Sequence, residues 1–269
     1  MSNANIDQHS KIAVAGATGR LGRHVVDVLR EQGHEVVEMS RSQGVDIVSG
    51  AGMAEALTGV DIIIDAASTP SPDEAEAIEF FTASARNLHA AGQAAGVQRL
   101  VVVSIIGIDA AEAGYNLAKQ IHEREVLAGP VPAAILRAAQ FDEFVELLLR
   151  WGIRGEVAHL PRMRTQLVAA RTVAEELVCL ALDPNATAAQ PIPEIAGPRE
   201  ERLADAAALV AERLGLGIRI EEVSDPANPD TPLNEGGGLL PNPHATLAGP
   251  TFAEWADRNL ARVEGASAQ

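Results

Sequence analysis

The chain has 269 residues, a formal net charge of −16, 47% apolar residues and only 3% aromatic residues. That length allows one large α/β domain or a domain with a smaller lobe, and the acidity argues against binding a polyanion such as nucleic acid. The single cysteine, Cys179, excludes an intramolecular disulfide, and no apolar run reaches the length of a membrane span.

With a single cysteine a cytoplasmic setting is the simplest fit, and the first ten residues, MSNANIDQHS, are polar and read as a loose leader without a signal-peptide segment. Ile12 to Ala15 is a short apolar run suited to a buried strand. Gly16, Gly19 and Gly22 then form a G-x-x-G-x-x-G turn, after which Leu21, Val25, Val28 and Leu29 recur at helical spacing. Strand, glycine turn and helix in that order make a dinucleotide site. The glycines let the backbone approach a ligand closely. The first helical N–H groups, unpaired within the helix and at its positive end, suit a pyrophosphate.

Glu35 to Met39 is the second predicted strand, followed by Ser40 and Arg41. An acidic residue at this strand end would meet the ribose 2′-hydroxyl of NAD. Here Glu38 lies two residues earlier, and a hydroxyl followed by an arginine suits a 2′-phosphate, so NADP(H) is favoured and NAD(H) is the alternative. Gly44 to Val48 reads as a short third strand or an extended piece. Ala51 to Leu57 reads as a short helix, and Val60 to Ala67 as a strand buried on both faces. Asp65 near its end is read as a cap or a buried hydrogen-bonding group. Asp73 to Ala95 is a long helix with acids in its first turns, where the helix dipole favours them. Further strands are expected at Gln98 to Ser104 and Pro130 to Arg137, with helices at Tyr115 to Leu127 and Phe141 to Arg150. Six strands alternating with helices predict a Rossmann-type, doubly wound parallel sheet over 11–150. Beyond Trp151 the pattern changes to a smaller lobe, 151–269, that covers the strand ends. It has short strands at Glu156 to Leu160, Gln166 to Ala169, Ile192 to Ala196 and Ile218 to Val223. Its helices run from Thr172, as cap, to Leu182, from Arg199 to Leu214 and from Thr251 to Arg262, and Ser224 to Pro250 is a long irregular loop.

Tyr115 and Lys119 stand at i and i+4, on one face of a helix. A free phenol has a pKa of about 10, too high for efficient proton transfer at neutral pH. A neighbouring ammonium lowers it. Ser104 ends the preceding strand, eleven residues before Tyr115, and is placed to hydrogen-bond the same substrate oxygen. This predicts hydride transfer between a nicotinamide and a carbonyl carbon, with Tyr115 as acid or base. The seven histidines show no metal-ligand spacing, so no metal is expected. His122 reads as a surface residue, Cys179 as a core thiol, and the absence of G-x-S-x-G argues against a serine hydrolase.

These residues together resemble the short-chain dehydrogenase/reductase superfamily, in its atypical NmrA-like, NAD(P)H-binding branch. The motifs that carry the resemblance are Gly16-Ala17-Thr18-Gly19-Arg20-Leu21-Gly22, Ser40-Arg41, Asp46, Ala66-Ala67, Ser104, Tyr115 with Lys119, and Leu136-Arg137-Ala138-Ala139-Gln140-Phe141. The resemblance implies that Thr18, Gly19, Arg20 and Leu21 line the pyrophosphate, Arg41 meets the 2′-phosphate and Asp46 the adenine. It implies that Ala66, Ala67 and Ser68 pack beside the adenosine and that Lys119 binds the nicotinamide ribose. Ala138 to Phe141, Gln140 among them, would flank the nicotinamide, and Ile105, Phe141 and Phe144 would face a small-molecule substrate. The chain departs from the commoner members in its glycine spacing and in carrying Asp65-Ala66-Ala67-Ser68 where they carry N-N-A-G. The expected activity is an NAD(P)H-dependent oxidoreductase acting on a small carbonyl, alcohol, enone or quinone-like compound. The alternatives are a non-catalytic NAD(P)-sensing regulator and an isomerase or epimerase with bound cofactor. A sugar-nucleotide substrate is disfavoured by the lack of an arginine cluster in the second lobe. The helices at 73–95 and 115–127 can pair across a homodimer as readily as within a monomer.

Overall fold

The computed structural model describes residues 10–71, 73–186 and 191–260. In chain order its helices are α1 (Gly22–Glu31), α2 (Met53–Ala56), α3 (Glu74–Ala95), α4 (Gly114–Ala128), α5 (Asp142–Gly152), α6 (Ala170–Leu182), α7 (Leu203–Arg213), α8 (Thr231–Glu235) and α9 (Phe252–Asn259). The first five strands are β1 (Lys11–Ala15), β2 (Glu35–Met39), β3 (Ile62–Asp65), β4 (Arg99–Ile105) and β5 (Ala133–Ala138). The chain forms two compact units, Met1–Arg137 with Ala170–Pro193 and Ala138–Ala169 with Glu194–Gln269.

The first unit is a doubly wound parallel sheet with strand order β5-β4-β3-β1-β2. β1 pairs in parallel with both β2 and β3, and β3 pairs in parallel with β4. The β-branched runs of β3 and β4 are buried, as expected for strands covered on both faces. Because β2 lies on one side of β1 and β3 on the other, the chain reverses direction across the sheet between them. In such sheets the crevice outside the carboxyl ends of these two strands is where ligands bind. The register sets Ala15 opposite Asp65, so Gly16 and Ala66 emerge side by side at that point.

Capping sets both ends of α3. Asp73 accepts a hydrogen bond from the Glu76 N–H and starts α3, and Gly96 in the left-handed region ends it. α6 packs on α1 and is joined to it by Arg171, which binds Glu31. The buried Arg99 donates to the carbonyls of Ala181, Asp183 and Pro184 and so terminates α6 with positive charge. The core of this unit includes Met39, Ile63, Leu88, Leu100, Val102 and Ile135.

The second unit contains β6 (Ile153–Arg154), β7 (Val157–Pro161), β8 (Arg164–Thr165), β9 (Glu194–Ala196), β10 (Glu201–Arg202), β11 (Arg219–Val223) and β12 (Thr246–Leu247). β11 pairs in parallel with β7, which also takes β6 as an antiparallel neighbour. Val145, Leu149, Leu160, Leu203, Val210, Phe252 and Trp255 form its core. Thr251 and Glu254 build a reciprocal capping box at the start of α9.

Several expectations are corrected. Residues 44–48 form turns rather than a strand: Asp46 Oδ1 accepts from Val48 N and closes the chain on itself, while Val45 and Ile47 are buried. Thr172 is not a cap, because α6 begins at Ala170. Residues 166–169 form no named strand, and the short pairing falls at β8 instead. The irregular stretch from Ser224 contains α8 and β12. Cys179 is exposed, and His122 is completely buried. The leader up to His9 and the expected helix end at Arg262 lie outside the described residues. No helix among the described residues is long and apolar enough to cross a membrane.

Asp142 opens α5 fully buried, and neither of its carboxyl oxygens has a hydrogen-bond partner among the described residues. Burial, aided by repulsion from Glu143 and Glu201, pushes its carboxyl up to about 8. In the unfolded chain it ionises near an ordinary value of about 3.9. The folded state therefore keeps a proton over an interval in which the unfolded state has lost it. Stability from this group is full below the unfolded value and falls, by up to about 1.4 kcal/mol per pH unit, as pH rises towards the folded one. Asp142→Asn is expected to raise the Tm over wild type by a margin that widens from pH 5 to pH 8. A margin that stays constant in parallel melts would show that the carboxyl is not the source of the pH dependence.

Candidate functional site

The site is built where β1 and β3 end. Gly16 sits in the left-handed region at φ +73, and a Cβ there would lie 2.7 Å from Ala67 Cα. A Cβ on Gly22 would lie 2.0 Å from the Gly16 carbonyl oxygen. These two glycines bring the turn, the first residues of α1 and the exit of β3 into backbone contact. The Gly19 N–H closes the turn onto the Gly16 carbonyl at 2.9 Å. Thr18, Gly19 and Arg20 are exposed on the outside of the turn, and Leu21 is buried beneath it. Among the described residues α1 has no side-chain cap and no acid in its first turn. An uncapped helix start behind a cradle too tight for any side chain fits a pyrophosphate, because its N–H groups and the helix dipole favour an anion.

At the end of β2, Ser40 is extended and its Oγ lies 2.9 Å from Ser42 Oγ. Arg41 begins a short 3-10 turn and is exposed. Glu38, the acid nearest the position that holds the ribose of NAD, is bound by Arg30 at 2.6 Å. Asp46 has its carboxyl held below the ordinary range, chiefly by the Val48 N–H and less by Arg41.

Asp65 Oδ1 accepts from the Ala67 N–H at 2.9 Å, which turns the chain out of β3 and presents Ser68. Ser68 Oγ is 2.9 Å from Tyr115 Oη. Ser104, expected to hydrogen-bond the substrate oxygen, is buried, and its Oγ has no hydrogen-bond partner among the described residues. Ile105 follows it at the end of β4, half-buried. Glu74 accepts from the Gly114 N–H at 2.5 Å and pins the residue before Tyr115. Arg137 ties the loop and helix around it together, donating to both Glu123 oxygens at 2.9 and 2.7 Å and to Asp109 Oδ1 at 2.7 Å.

The structure gives the Lys119 amine partners other than the Tyr115 phenol. Its Nζ donates to the Val103 carbonyl at 2.9 Å, lies 2.9 Å from His122 Nδ1, and stands 4.5 Å from the centre of the Phe81 ring. Burial raises the Tyr115 phenol above its ordinary range, with Ser68 opposing and Asp65 adding to the rise. The expected lowering by an adjacent ammonium is thus reversed. Burial pushes the Lys119 ammonium down to about 8, against the pull of Asp65 and Glu123. His122 and Asp65, to which the sequence reading gave no role in the site, complete this group. The spacing of His122, three residues after Lys119 on α4, was the available signal.

Ala138, Gln140, Phe141 and Phe144 lie in the second unit. Ala138 ends β5 and is buried, and Gln140 is half-buried. Phe141 forms an isolated bridge with Val168. Phe144 meets Trp151 edge to face at 6.1 Å between ring centres.

Residues 16–141 match a family model described as NAD(P)H-binding. Those residues form an NAD(P)H-binding domain. The solved structure of MoeE5 in complex with UDP-glucose and NAD is 19% identical to this chain. That match covers 94% of this chain and 100% of MoeE5, with a TM-score of 0.69. The NADPH-dependent quinone oxidoreductase QOR2 from Escherichia coli, complexed with NADPH, is 17% identical over 92% of this chain and 99% of its own, with a TM-score of 0.66. UDP-N-acetylglucosamine 4-epimerase from Bacillus cereus is 17% identical over 93% of this chain and 94% of its own, also with a TM-score of 0.66. At these identities the likeness is one of fold. No curated protein matches the chain by sequence.

The contact geometry makes Gly22 a sharp test. Gly22→Ala is expected to weaken NADPH binding at least about tenfold, measured by fluorescence titration, because the turn must move off the Gly16 carbonyl to admit a methyl group. Unchanged affinity in a folded variant would remove this turn from the binding site.

Proposed function

We propose that the protein is an NADPH-dependent oxidoreductase that reduces a small carbonyl, enone or quinone-like compound, with Tyr115 as the proton donor. The observation that carries this reading is the 2.9 Å contact between Tyr115 Oη and Ser68 Oγ. Ser68 follows Ala67, the residue against which Gly16 of the phosphate-binding turn is packed. A proton-bearing phenol therefore stands one residue from the cofactor cradle.

The chain's residues divide the work as follows. The turn from Gly16 to Gly22 and the start of α1 hold the pyrophosphate, and Ala66 and Ala67 pack beside the adenosine. Arg41, with Ser40, holds the 2′-phosphate. The engagement of Glu38 by Arg30 supports NADP(H) over NAD(H), since that acid is already paired. When bound, the cofactor supplies hydride chemistry. Tyr115 keeps its proton at neutral pH because burial disfavours the phenolate. It can pass that proton to a developing alkoxide, and Ser68 Oγ orients the phenol. Ser104 and Ile105 at the end of β4 are assigned to the nicotinamide and substrate.

One observation favours a second reading. The Lys119 amine is engaged by Val103 and His122 rather than by Tyr115, which suits a protein that binds NADPH as a sensor without turnover.

Paired titrations with NADPH and NADH separate the cofactors. NADPH is expected to bind more tightly, and Arg41→Ala to lose at least about tenfold in NADPH affinity with little change for NADH, in line with the loss of a charge-assisted phosphate contact. Equal losses for both would assign Arg41 no role at the 2′-phosphate. In a carbonyl and quinone turnover screen, Tyr115→Phe is expected to lower kcat about a hundredfold or more without loss of NADPH binding. An undiminished kcat would end the proton-donor assignment.

A further inference from the structure

Three titratable side chains are buried in a row behind Tyr115. Lys119 is 4% exposed, His122 0% and Asp65 2%. Lys119 Nζ is 2.9 Å from His122 Nδ1, and His122 Nε2 is 3.5 Å from Asp65 Oδ2. The first separation is a hydrogen bond. The second is longer than an ordinary N–H···O bond, so it is an electrostatic contact that a shift of a few tenths of an ångström would close. The remaining walls are apolar or already engaged. The Phe81 ring lies against the imidazole at 4.8 Å between centres and beneath the Lys119 amine. Glu123, the other nearby acid, is taken by Arg137 through two hydrogen bonds. Tyr115 is turned towards Ser68.

A buried ammonium is expensive without an opposite charge. Asp65 is the acid available to this one. An ammonium has only donors, so it must donate to His122 Nδ1. The imidazole proton then resides on Nε2, facing Asp65. A neutral imidazole in that tautomer aligns its dipole between cation and anion, and the three groups together carry no net charge. Burial and the neighbouring ammonium both hold His122 below its ordinary pKa, consistent with a neutral ring.

We propose that His122 is a positioning residue that links Lys119 to Asp65 as its counter-ion and so holds the lysine charged and fixed beneath the active face of α4. The proposal rests on the reading of Tyr115 and Lys119 as the working face of that helix. It differs from a Tyr–Lys couple in placing the lysine's control one turn further along α4 and across to β3. The groups that face Lys119 and His122 are Asp65 from β3, the Val103 carbonyl from β4, the Phe81 ring from α3, and Glu123, itself paired with Arg137 of β5, from α4.

The sequence makes the test direct. Lys11 and Lys119 are its only lysines, and Tyr115 is its only tyrosine. Protein labelled with 13Cε-lysine therefore gives two lysine signals, the Lys119 signal being the one absent from Lys119→Met. The ligand-free protein is titrated by NMR, so the readout does not depend on turnover. Lys119 in wild type is expected to titrate near pH 8. In His122→Phe and in Asp65→Asn its midpoint should fall by at least one pH unit, a tenfold or greater weakening of proton binding. His122→Gln, whose amide N–H can still reach Asp65 while its carbonyl faces the amine, should restore at least half of that change. Folded variants with an unshifted Lys119 midpoint overturn the proposal. If the His122 and Asp65 variants do not fold, wild type alone decides it. A 15N spectrum of the histidine rings should show both buried histidines, His89 and His122, as the Nε2-protonated tautomer across pH 5 to 8, His122 being the ring whose Nδ1 is coupled through space to the lysine amine. A buried ring protonated on Nδ1 overturns the proposal. Loss of activity in Tyr115→Phe tests the functional reading, and these spectra test the charge link, so either can fail alone.

Discussion

The packing of Gly16 against Ala67 constrains everything built around it. A parallel sheet offers its ligand crevice where two neighbouring strands part, and here those are β1 and β3. The parting is narrow because the turn after β1 passes within van der Waals contact of the chain leaving β3. That closeness sets the start of α1, whose N–H groups are left without a side-chain cap. It also sets the direction in which Ser68 points. The exit of β3 is held in turn by Asp65, whose one carboxyl oxygen supports the Ala67 N–H and whose other faces His122. One carboxylate therefore serves both the backbone of the cradle and the charge of the buried amine.

Electrostatically, the two units treat their buried acids differently. In the first, Asp65 and Glu123 face cations, Asp65 through His122 and Glu123 directly at Arg137. In the second, Asp142 has no such partner among the described residues, and Glu201 is pushed up to about 7, chiefly by burial. An acid that cannot find a cation keeps its proton. The first unit thus sets its buried acids against cations near its candidate site, whereas burial keeps protons on those of the second.

Much of this architecture is legible in the residues themselves. The apolar strand, the spaced glycines and the amphipathic helix identify the strand, turn and helix that open the NAD(P)H-binding domain, and the β-branched runs of β3 and β4 identify the sheet. The misread segments share a physical cause. Val45 and Ile47 alternate like a strand and are buried like one, but Asp46 bonds the backbone two residues on and makes a turn. His122 looks like a polar surface position, because its burial depends on Asp65 and Lys119 being close in space, which spacing along one helix does not reveal. The pairing of Ser68 with Tyr115, 47 positions away, has no signature in the sequence. Short-range patterns report local conformation. The pairing of charges across β3, α3 and α4 is a tertiary fact.

The path of the chain has a consequence of its own. The polypeptide leaves the first unit after Arg137, returns at Ala170, and leaves again after Pro193. α6, supplied by that return, covers α1 and gives Arg99 the carbonyls that surround it. During synthesis, then, the nucleotide-binding half would emerge with its sheet strands complete but one flank bare and a buried arginine unserved. A fragment ending near Arg150 would carry every glycine of the binding turn and still lack a wall of its own core. Maturation of this half waits on residues that follow a long excursion, so the order in which the two halves consolidate is written into the connectivity rather than into the position of the motif.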